Sequence, residues 1–431
     1  MNNELYQLFI DSSGICINSR EIKEGVLFVC IKGENFDGNT FANEALESGA
    51  KHVIVDNEDY FQNNGKMSLV NDSISFLQDL AKFHRNQFNI PIIGITGSNG
   101  KTTTKELINV VLQKKYKVLS TIGNLNNHIG VPLTLLRLSS THEIAIIEMG
   151  ANKFKDIEEL CNITSPTHGI ITNIGKAHLE GFLNFEGVLK TKKELYDSIS
   201  MRNGIVITNS DDAILKNILP SNTTNFSYGI KDSNLIQGEL IGLNPFIQMR
   251  WQSNNEQSPI VNAKMIGEYN FYNYLAAIAF GKLFNVASSL INDAIEEYTP
   301  ENNRSQVKLT SHNTLILDCY NANPTSMKSA LESFAKNETT LSKIAILGEM
   351  KELGEDTLLE HQSIISLAEE LALRLILVGK LFNSFDGKSI VKKFDDTEGC
   401  ANYLRTNKIN QHMILLKGSR SVGLEKLEND L

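Results

Sequence analysis

The chain has 431 residues, of which 41% are hydrophobic and 21% charged, and this composition excludes an intrinsically disordered protein. Its 41 lysines and arginines against 50 acidic residues give a net charge of −9, which argues against the basic face that nucleic-acid binding needs. No signal-peptide pattern, no run of about 18 apolar residues and no CxxC pair occurs. We therefore expect a cytoplasmic protein with five reduced cysteines and no membrane span.

The first segment, residues 1–89, is predicted to be a small α/β unit. Short apolar runs at 25–31 and 52–55 predict buried strands. Residues 41–48 have helical spacing, and residues 73–88 carry a helical stripe of apolar side chains. At about 150 residues per domain, the length leaves room for about two further domains.

The second segment, residues 90–302, begins with a predicted strand over 90–95. Further strand-like runs alternate with helical stretches, which predicts a mostly parallel sheet. Residues 221–262 are rich in Asn, Ser and Thr and indicate an antiparallel extension, and a strong helix is predicted over 269–284. The further strand-like runs are 144–147, 169–172 and 204–208.

The third segment, residues 303–431, repeats one pattern four times. Each apolar run ends in a polar or glycine loop that is followed by a helical stretch. This pattern is typical of a doubly wound sheet, whose ligands bind at the carboxyl ends of the strands. The four runs are Thr314–Leu317, Ile344–Leu347, Leu375–Val378 and Met413–Leu416.

A glycine loop, TGSNGKTTT, follows the predicted strand over 90–95 and leads into a helix-like stretch. Glycines let backbone N–H groups point inward, and a helix N-terminus adds partial positive charge, so the loop is predicted to cradle phosphates. Lys101 is expected to reach the β- and γ-phosphates, with the Thr102 hydroxyl on Mg²⁺. The glycine spacing departs from G-x-x-x-x-G-K-[ST], so the loop is a variant. The predicted contacts are Gly97, Ser98, Asn99, Gly100, Lys101, Thr102 and Thr103.

The loop resembles the ATP loop of the Mur ligase family and its folate-ligase relatives, and the resemblance extends over essentially the whole chain. Five further motifs in order are similar to the members that add D-alanyl-D-alanine. They are GNLNNHIGVP from Gly123, NIGKAHLEGF from Asn173, DCYNANPTSM from Asp318, GEMKELG from Gly348 and KGSR from Lys417.

The resemblance implies a three-domain α/β fold. Residues 1–89 are expected to bind a UDP-sugar-peptide, 90–302 to form a central P-loop, parallel-sheet ATPase domain, and 303–431 to form a Rossmann-like domain that binds the incoming dipeptide. The implied reaction moves the γ-phosphoryl group of ATP to the carboxylate of a UDP-MurNAc-tripeptide. The amine of D-alanyl-D-alanine then attacks the acyl phosphate, as a step of peptidoglycan precursor synthesis. We expect a monomer that acts in the cytoplasm.

The resemblance also implies a site for two Mg²⁺ ions, which would offset repulsion between carboxylate and triphosphate. Glu148, after a strand-like run, and His178, in NIGKAHLEGF, are its expected ligands beside Thr102. Lys192 corresponds to the family lysine that reacts with CO₂ to become a carbamate and helps to hold a second ion. An exposed helix lysine is the alternative, since Lys190 and Lys193 lie in the same charged run.

Two asparagines and one arginine resemble further nucleotide-binding residues of the family. Asn270 and Asn273 share a helix face and correspond to adenine-side asparagines, although Tyr269 replaces a histidine of the pattern. Arg304 corresponds to an interdomain arginine that reaches phosphates on domain closure, and the glycine that usually precedes it is missing. Asp318 is expected to contact the ribose or a metal-bound water.

The remaining predicted residues bind the two other substrates. In the first segment, Asn18 replaces the aspartate of the family's Asp-Ser-Arg, and a surface turn is a nearly equal alternative for the glycine-containing stretch 32–38. Asn126 and Asn127 carry amides that can contact phosphate or the substrate carboxylate. The expected substrate-binding residues are Ser19, Arg20, Lys32, Gly33, Asn35, Asn126, Asn127, Tyr320, Asn321, Asn323, Lys417 and Ser419.

Three other functions are alternatives. A family ligase that adds a single amino acid, or glutamate to folate, is disfavoured by GNLNNHIGVP, by DCYNANPTSM and by the UDP-type first segment. A non-catalytic nucleotide-binding regulator would lack Glu148, His178 and Lys192. A P-loop kinase is disfavoured because the loop spacing differs and no lid-type arginine cluster is evident.

Overall fold

The computed structural model describes residues 3–177, 179–254 and 256–431. The chain forms two compact units. Unit 1 comprises Met1–Ile95, Tyr116–Ala151 and Lys155–Gly169. Unit 2 comprises Thr96–Lys115, Asn152–Phe154 and Ile170–Leu431.

The N-terminal part of unit 1 is a four-stranded parallel sheet with three helices. The strands lie in the order β1-β2-β3-β4, and β2 and β3 are completely buried. Side chains from β2, β3 and α2 form its apolar core, among them Phe28, Val53 and Ala45. The elements are α1 (Asn3–Ile10), β1 (Ile15–Cys16), β2 (Leu27–Val29), α2 (Ala42–Glu47), β3 (His52–Val55), β4 (Met67–Leu69) and α3 (Ser73–Arg85).

The middle of the chain alternates strands and helices as far as a β-meander and two closing helices. Its elements are β5 (Ile92–Thr96), α4 (Lys101–Gln113), β6 (Val118–Ser120), α5 (Gly130–Leu135), β7 (Ile144–Glu148), α6 (Asp156–Thr164), β8 (His168–Ile171), α7 (Leu179–Phe182), α8 (Phe185–Met201), β9 (Ile205–Asn209), α9 (Ala213–Ile218), β10 (Thr224–Gly229), β11 (Ile236–Gly242), β12 (Gln248–Ser253), β13 (Glu256–Gln257), β14 (Val261–Asn262), α10 (Glu268–Leu283) and α11 (Ser288–Glu297).

The strands of this middle region are divided between the two units. The unit boundaries fall inside β5 and β8, so each of these strands belongs partly to unit 1 and partly to unit 2. In unit 1 the strand order is β8-β5-β7-β6, and β5, β6 and β7 pair in parallel. In unit 2 the order is β13-β12-β11-β10-β9-β8, with β14 also paired to β12. The pairs of β12 with β11, β13 and β14 are antiparallel, as the composition of residues 221–262 indicates.

The C-terminal part of unit 2 is a six-stranded sheet in the order β15-β16-β20-β17-β18-β19. All pairs are parallel except β15 with β16. The elements are β15 (Gln306–Leu309), β16 (Thr314–Leu317), α12 (Pro324–Lys336), β17 (Ser342–Gly348), α13 (Thr357–Glu370), β18 (Arg374–Val378), β19 (Ile390–Phe394), α14 (Thr397–Thr406) and β20 (His412–Lys417).

This sheet has helices on both faces because its apolar side chains alternate. Ile316 packs with α12 and α13 in one core, whereas Leu315 and Leu317 pack with α14 and the C-terminal residues in another. Successive side chains of a strand point to opposite faces of the sheet, so a strand whose two faces are both covered places neighbouring residues in different cores. Because β16, β20 and β17 are neighbours and pair in parallel, their carboxyl ends lie side by side at the same edge of the sheet.

Within the described residues, no helix combines the length and the apolar character that a crossing of the membrane requires.

Candidate functional site

The glycine loop joins the end of β5 to α4 and has two residues with positive φ. Gly97 has φ 149° and Gly100 has φ 77°, and α4 begins at Lys101 after Gly100, an N-cap residue that makes no side-chain capping hydrogen bond. The N–H groups at a helix start, together with the helix dipole, favour an anion. Lys101 Nζ donates a 2.6 Å hydrogen bond to the Gly97 carbonyl, so the lysine folds over the loop. Thr102 and Thr103 are buried in the first turn of α4.

A segment that follows β8 holds the loop in place by hydrogen bonds. Ser98 Oγ donates to the Gly175 carbonyl at 3.0 Å and accepts from the Gly175 N–H at 2.9 Å. Thr172 Oγ1 and Asn173 Nδ2 both donate to the Asn99 carbonyl, at 2.5 and 3.0 Å. The Asn99 N–H donates to Asn173 Oδ1 at 3.0 Å. These bonds fix the loop backbone before any ligand binds, which is the preorganisation that phosphate recognition needs.

Asn270 and Asn273 of α10 are both buried and link α4 to the start of the third segment. Thr104 Oγ1 donates to Asn273 Oδ1 at 3.1 Å, and Asn273 Nδ2 donates to Asn270 Oδ1 at 2.8 Å. Asn270 Nδ2 donates to the Ile266 carbonyl and to Ser305 Oγ, at 2.8 and 3.0 Å. Tyr269, which stands where the family pattern has histidine, contacts the same Ser305 Oγ through its hydroxyl at 3.0 Å. Burial raises the pKa of Tyr269, so its hydroxyl stays protonated.

The turn that carries Arg304 is held in the left-handed region without a glycine. Asn302, Asn303 and Ser305 have φ values of 61°, 56° and 49°. Asparagine is among the few non-glycine residues that adopt this conformation readily, so Asn303 supplies the turn in place of the missing glycine. The Ser305 N–H donates to Asp318 Oδ1 at 3.3 Å, which ties the turn to the end of β16.

Two adjacent strand ends of the C-terminal sheet place charged side chains together. Asp318 follows β16 and accepts a 2.6 Å hydrogen bond from Nζ of Lys417, which ends β20. Tyr320 lies close by, and the guanidinium groups of Arg304 and Arg420 both lie over its ring. Arg420 was not among the residues predicted from the sequence, although the motif KGSR contains it. Ser419 is buried and accepts a 3.1 Å hydrogen bond from the Lys351 N–H.

Two of the residues expected to bind Mg²⁺, Thr102 and Glu148, offer oxygen atoms of the type that this ion prefers. In unit 1, Glu148 is 1% exposed at the end of β7, and its Oε1 accepts a 2.7 Å hydrogen bond from Asn126 Nδ2. In unit 2, the hydroxyl of Thr102 lies in the first turn of α4. His178 lies outside the described residues. Among those described, no group of three or more His, Cys, Asp and Glu side chains forms a metal-binding cluster.

Lys192 differs from the other lysines of its run in being buried. It is 2% exposed on α8, and its Nζ lies 5.8 Å from the centroid of the Phe182 ring. Lys190 is exposed and pairs with Glu186, and Lys193 pairs with Asp197. Burial therefore distinguishes Lys192 from Lys190 and Lys193, and its reaction with CO₂ stays a prediction.

Several predicted substrate residues have local structural contacts. Asn18 Oδ1 accepts a 3.2 Å hydrogen bond from the Arg20 N–H, so it caps the Ser19–Glu21 turn. Asn127 Oδ1 accepts from the Gly130 N–H at 2.8 Å and thereby supports the start of α5. Lys32, Gly33 and Asn35 lie in a surface turn closed by a bridge between Lys32 and Asp37. Asn321 Oδ1 accepts from the Ala322 N–H at 2.9 Å. Their substrate contacts stay predictions.

Three hydrogen bonds connect the loop region of unit 2 with α12 and α13. Asn323, the N-cap of α12, donates from Nδ2 to Asn99 Oδ1 at 2.7 Å. The Lys176 N–H donates to Thr325 Oγ1 at 3.1 Å, and Lys176 Nζ donates to Glu360 Oε1 at 2.6 Å. Asn173 and Gly175 thus contact the phosphate loop, and Lys176 contacts the third segment.

The chain is similar to known proteins along nearly its whole length. Family models match residues 11–85 (Mur ligase family, catalytic domain), 95–281 (Mur ligase middle domain) and 303–420 (Mur ligase, glutamate ligase domain). The UDP-N-acetylmuramoyl-tripeptide–D-alanyl-D-alanine ligase of Bacillus subtilis is 31% identical over 97% of this chain and 93% of its own.

Two solved structures have the same three-domain α/β fold. MurF from Acinetobacter baumannii is 30% identical, with a TM-score of 0.87 over 97% of this chain and 92% of that one. MurF from Thermotoga maritima, solved in complex with ADP, is 27% identical, with a TM-score of 0.88 over 100% and 98%. The phosphate-cradle loop and the fold define a nucleotide-binding ligase architecture. The chain belongs to the Mur ligase family.

Proposed function

We propose that this protein is an ATP-dependent ligase that adds D-alanyl-D-alanine to UDP-MurNAc-tripeptide in peptidoglycan precursor synthesis. The observation that carries the proposal is the glycine loop, which Ser98, Thr172 and Asn173 hold by hydrogen bonds just before the start of α4. The relatives named for this reaction match nearly the whole chain, and one of the MurF structures binds ADP. We place the enzyme in the cytoplasm and expect a monomer.

The residues of the loop give the reaction its first step. The N–H groups at the start of α4 and the ammonium of Lys101 hold the triphosphate. The carboxylate of the UDP-MurNAc-tripeptide attacks the γ-phosphorus and forms an acyl phosphate, with ADP as the leaving group. Positioning and charge neutralisation supply most of the acceleration in such a transfer. Arg304, next to the Asp318–Lys417 pair, adds positive charge on the side of the third segment.

The second step joins the dipeptide to the activated acid. The neutral amine of D-alanyl-D-alanine attacks the acyl carbon, and a tetrahedral intermediate collapses to the amide with release of phosphate. Tyr320, Lys417 and Ser419 lie at the carboxyl edge of the sheet, where doubly wound folds bind ligands, and we assign them to the dipeptide site.

Magnesium and a modified lysine belong to this proposal. Thr102, Glu148 and His178 would hold Mg²⁺, and carbamoylated Lys192 would help to hold a second ion. In unit 1 the buried carboxylate of Glu148 is a ligand of the type that suits Mg²⁺, and in unit 2 Lys192 is the buried lysine of its run. When bound, Mg²⁺ neutralises charge on the phosphates and on the attacking carboxylate.

One assay tests the function. Phosphate release is expected only when ATP, Mg²⁺, UDP-MurNAc-tripeptide and D-alanyl-D-alanine are present together, with a product whose mass equals that of the pentapeptide. Single D- and L-amino acids, and glutamate with a folate acceptor, test the alternative family ligases. Release that requires one of these amines instead of the dipeptide would overturn the assignment, as would a Lys101→Ala variant with full activity.

A further inference from the structure

Two arginine side chains share one aromatic ring at the carboxyl edge of the C-terminal sheet. The guanidinium carbon of Arg304 lies 3.7 Å from the centroid of the Tyr320 ring, and that of Arg420 lies 5.1 Å from it. Arg420 Nη1 also donates a 3.3 Å hydrogen bond to the Tyr320 hydroxyl. Because an aromatic face attracts a guanidinium group, the ring holds both cations at one place.

Neither cation forms an ion pair in the part of the chain that the structure describes. Across 3–177, 179–254 and 256–431, neither guanidinium group has an Asp or Glu oxygen within 4.0 Å. The third cation at this edge, Lys417, is paired with Asp318 at 2.6 Å. Two neighbouring cations repel each other, and a bound anion removes that repulsion. The edge therefore favours an anionic ligand.

The positions of the two arginines suggest different anions. Arg304 lies in the turn that Ser305 joins to Asn270, on the side of the predicted nucleotide site. Arg420 follows β20 beside Ser419 and is exposed, so an incoming substrate can reach it. The planar guanidinium group offers two parallel N–H donors, which match the two oxygens of a carboxylate.

We infer that Arg420 binds the C-terminal carboxylate of the incoming dipeptide, and that Tyr320 orients the Arg420 side chain for this contact. The inference rests on the proposed function and deepens it, because it assigns the anionic end of the amine substrate to one side chain. The amine end of the dipeptide is then free to attack the acyl phosphate. Arg304 then remains available to bind the phosphates of ATP.

Steady-state phosphate release with D-alanyl-D-alanine and with its C-terminal amide tests this assignment. The Arg420→Ala substitution is expected to raise the KM for the dipeptide about 10- to 100-fold, because it removes a charged hydrogen bond. The KM for ATP and the kcat are expected to stay within about twofold. The wild-type enzyme should discriminate against the amide by a similar factor, and the variant should not discriminate. Arg420→Lys, a cation without the planar fork, should lie between the two.

The matched control is Arg374→Ala, which removes an exposed arginine at the first residue of β18, at the opposite end of a strand in the same sheet. Both variants should unfold at the wild-type temperature and bind an ATP analogue normally. If Arg420→Ala raises the KM for ATP instead, or still discriminates against the amide, the assignment of Arg420 is wrong while the ligase function stands. If the wild-type enzyme releases no phosphate with the dipeptide, the proposed function itself fails.

Discussion

Thr172 Oγ1 occupies the space that a Cβ atom on Gly97 would need, since the two atoms would lie 1.9 Å apart. The same Oγ1 donates a 2.5 Å hydrogen bond to the Asn99 carbonyl, so it cannot move aside without releasing the loop. Gly97 also has φ 149°, which side-chain-bearing residues rarely adopt. Two independent constraints therefore require glycine at this position.

Gly97→Ala is expected to disrupt the phosphate loop. The clash with Thr172 and the backbone strain should lower the free energy of unfolding by about 2–4 kcal/mol. ATP affinity, measured by calorimetric titration, should fall at least about 100-fold because the loop amides lose their alignment. The control is Gly65→Ala, where φ is 73° and no atom lies near the added methyl group. It should cost about 1 kcal/mol and leave ATP affinity unchanged. ATP binding by Gly97→Ala within about threefold of wild type would contradict this account.

Asn303 is expected to act as a glycine substitute in the turn before Arg304. Asn303→Gly should keep full activity, whereas Asn303→Val should lower kcat/KM about 10-fold or more by displacing Arg304. Asn203→Val provides the control, because Asn203 has a similar φ of 53° in the turn that follows α8. Both valine variants should lose about 1–2 kcal/mol of stability, but only Asn303→Val should lose activity. Equal activity of the two valine variants would remove the special role of this turn.

Lys192→Ala is expected to lose activity at least about 100-fold and to regain part of it when a short-chain carboxylate such as acetate is added. The added carboxylate would take the place of the carbamate. Lys190→Ala is the control, because this lysine is exposed on the same helix and pairs with Glu186. It should keep wild-type phosphate release. A fully active Lys192→Ala enzyme that needs no rescue would refute the carbamate.

His168 at the start of β8 is expected to make stability depend on pH. Burial lowers its pKa from 6.5 to about 4, so the folded protein binds this proton less readily than the unfolded chain. Its contribution is fully present above pH 6.5 and is lost as the pH falls from 6.5 through 4. Between pH 7.5 and pH 5 the wild type should lose about 1–2 kcal/mol more than His168→Gln in urea unfolding. His312→Gln, at an exposed position, serves as the control. Identical pH dependence of wild type and His168→Gln would disprove the effect.

Buried strands could be predicted closely from the sequence because a short, uninterrupted apolar run is typical of a strand that is covered on both faces. The run Thr314–Leu317 has the bounds of β16 itself, and 52–55 has those of β3. Edge strands were not predicted: β15 and β19 contain lysines and are partly exposed, so neither has a continuous apolar run. Their pairing depends on neighbours distant in the chain, which local pattern does not reveal.

The sequence predicts which residues form the glycine loop, but it does not predict the contacts that orient the loop. The sequence indicated that Gly97 and Lys101 form a phosphate loop. It did not indicate that Thr172 and Asn173, more than 70 residues away, hold the loop by hydrogen bonds. Nor did it indicate that Arg420 shares the ring of Tyr320, since the two residues are 100 positions apart. Such pairs become visible only when separate strands end at one edge of a sheet.

The hydrogen bonds that Asn99 and Lys176 make with α12 and α13 bear on the release of products. The partners are Asn323, Thr325 and Glu360, and water can replace each of them. Exchanging such a bond for water costs about 1 kcal/mol for the two neutral bonds and about 1.5–3 kcal/mol for the charged bond between Lys176 and Glu360. These surfaces are therefore joined by only a few kcal/mol of polar contact, and we expect the finished peptide and ADP to leave when they separate.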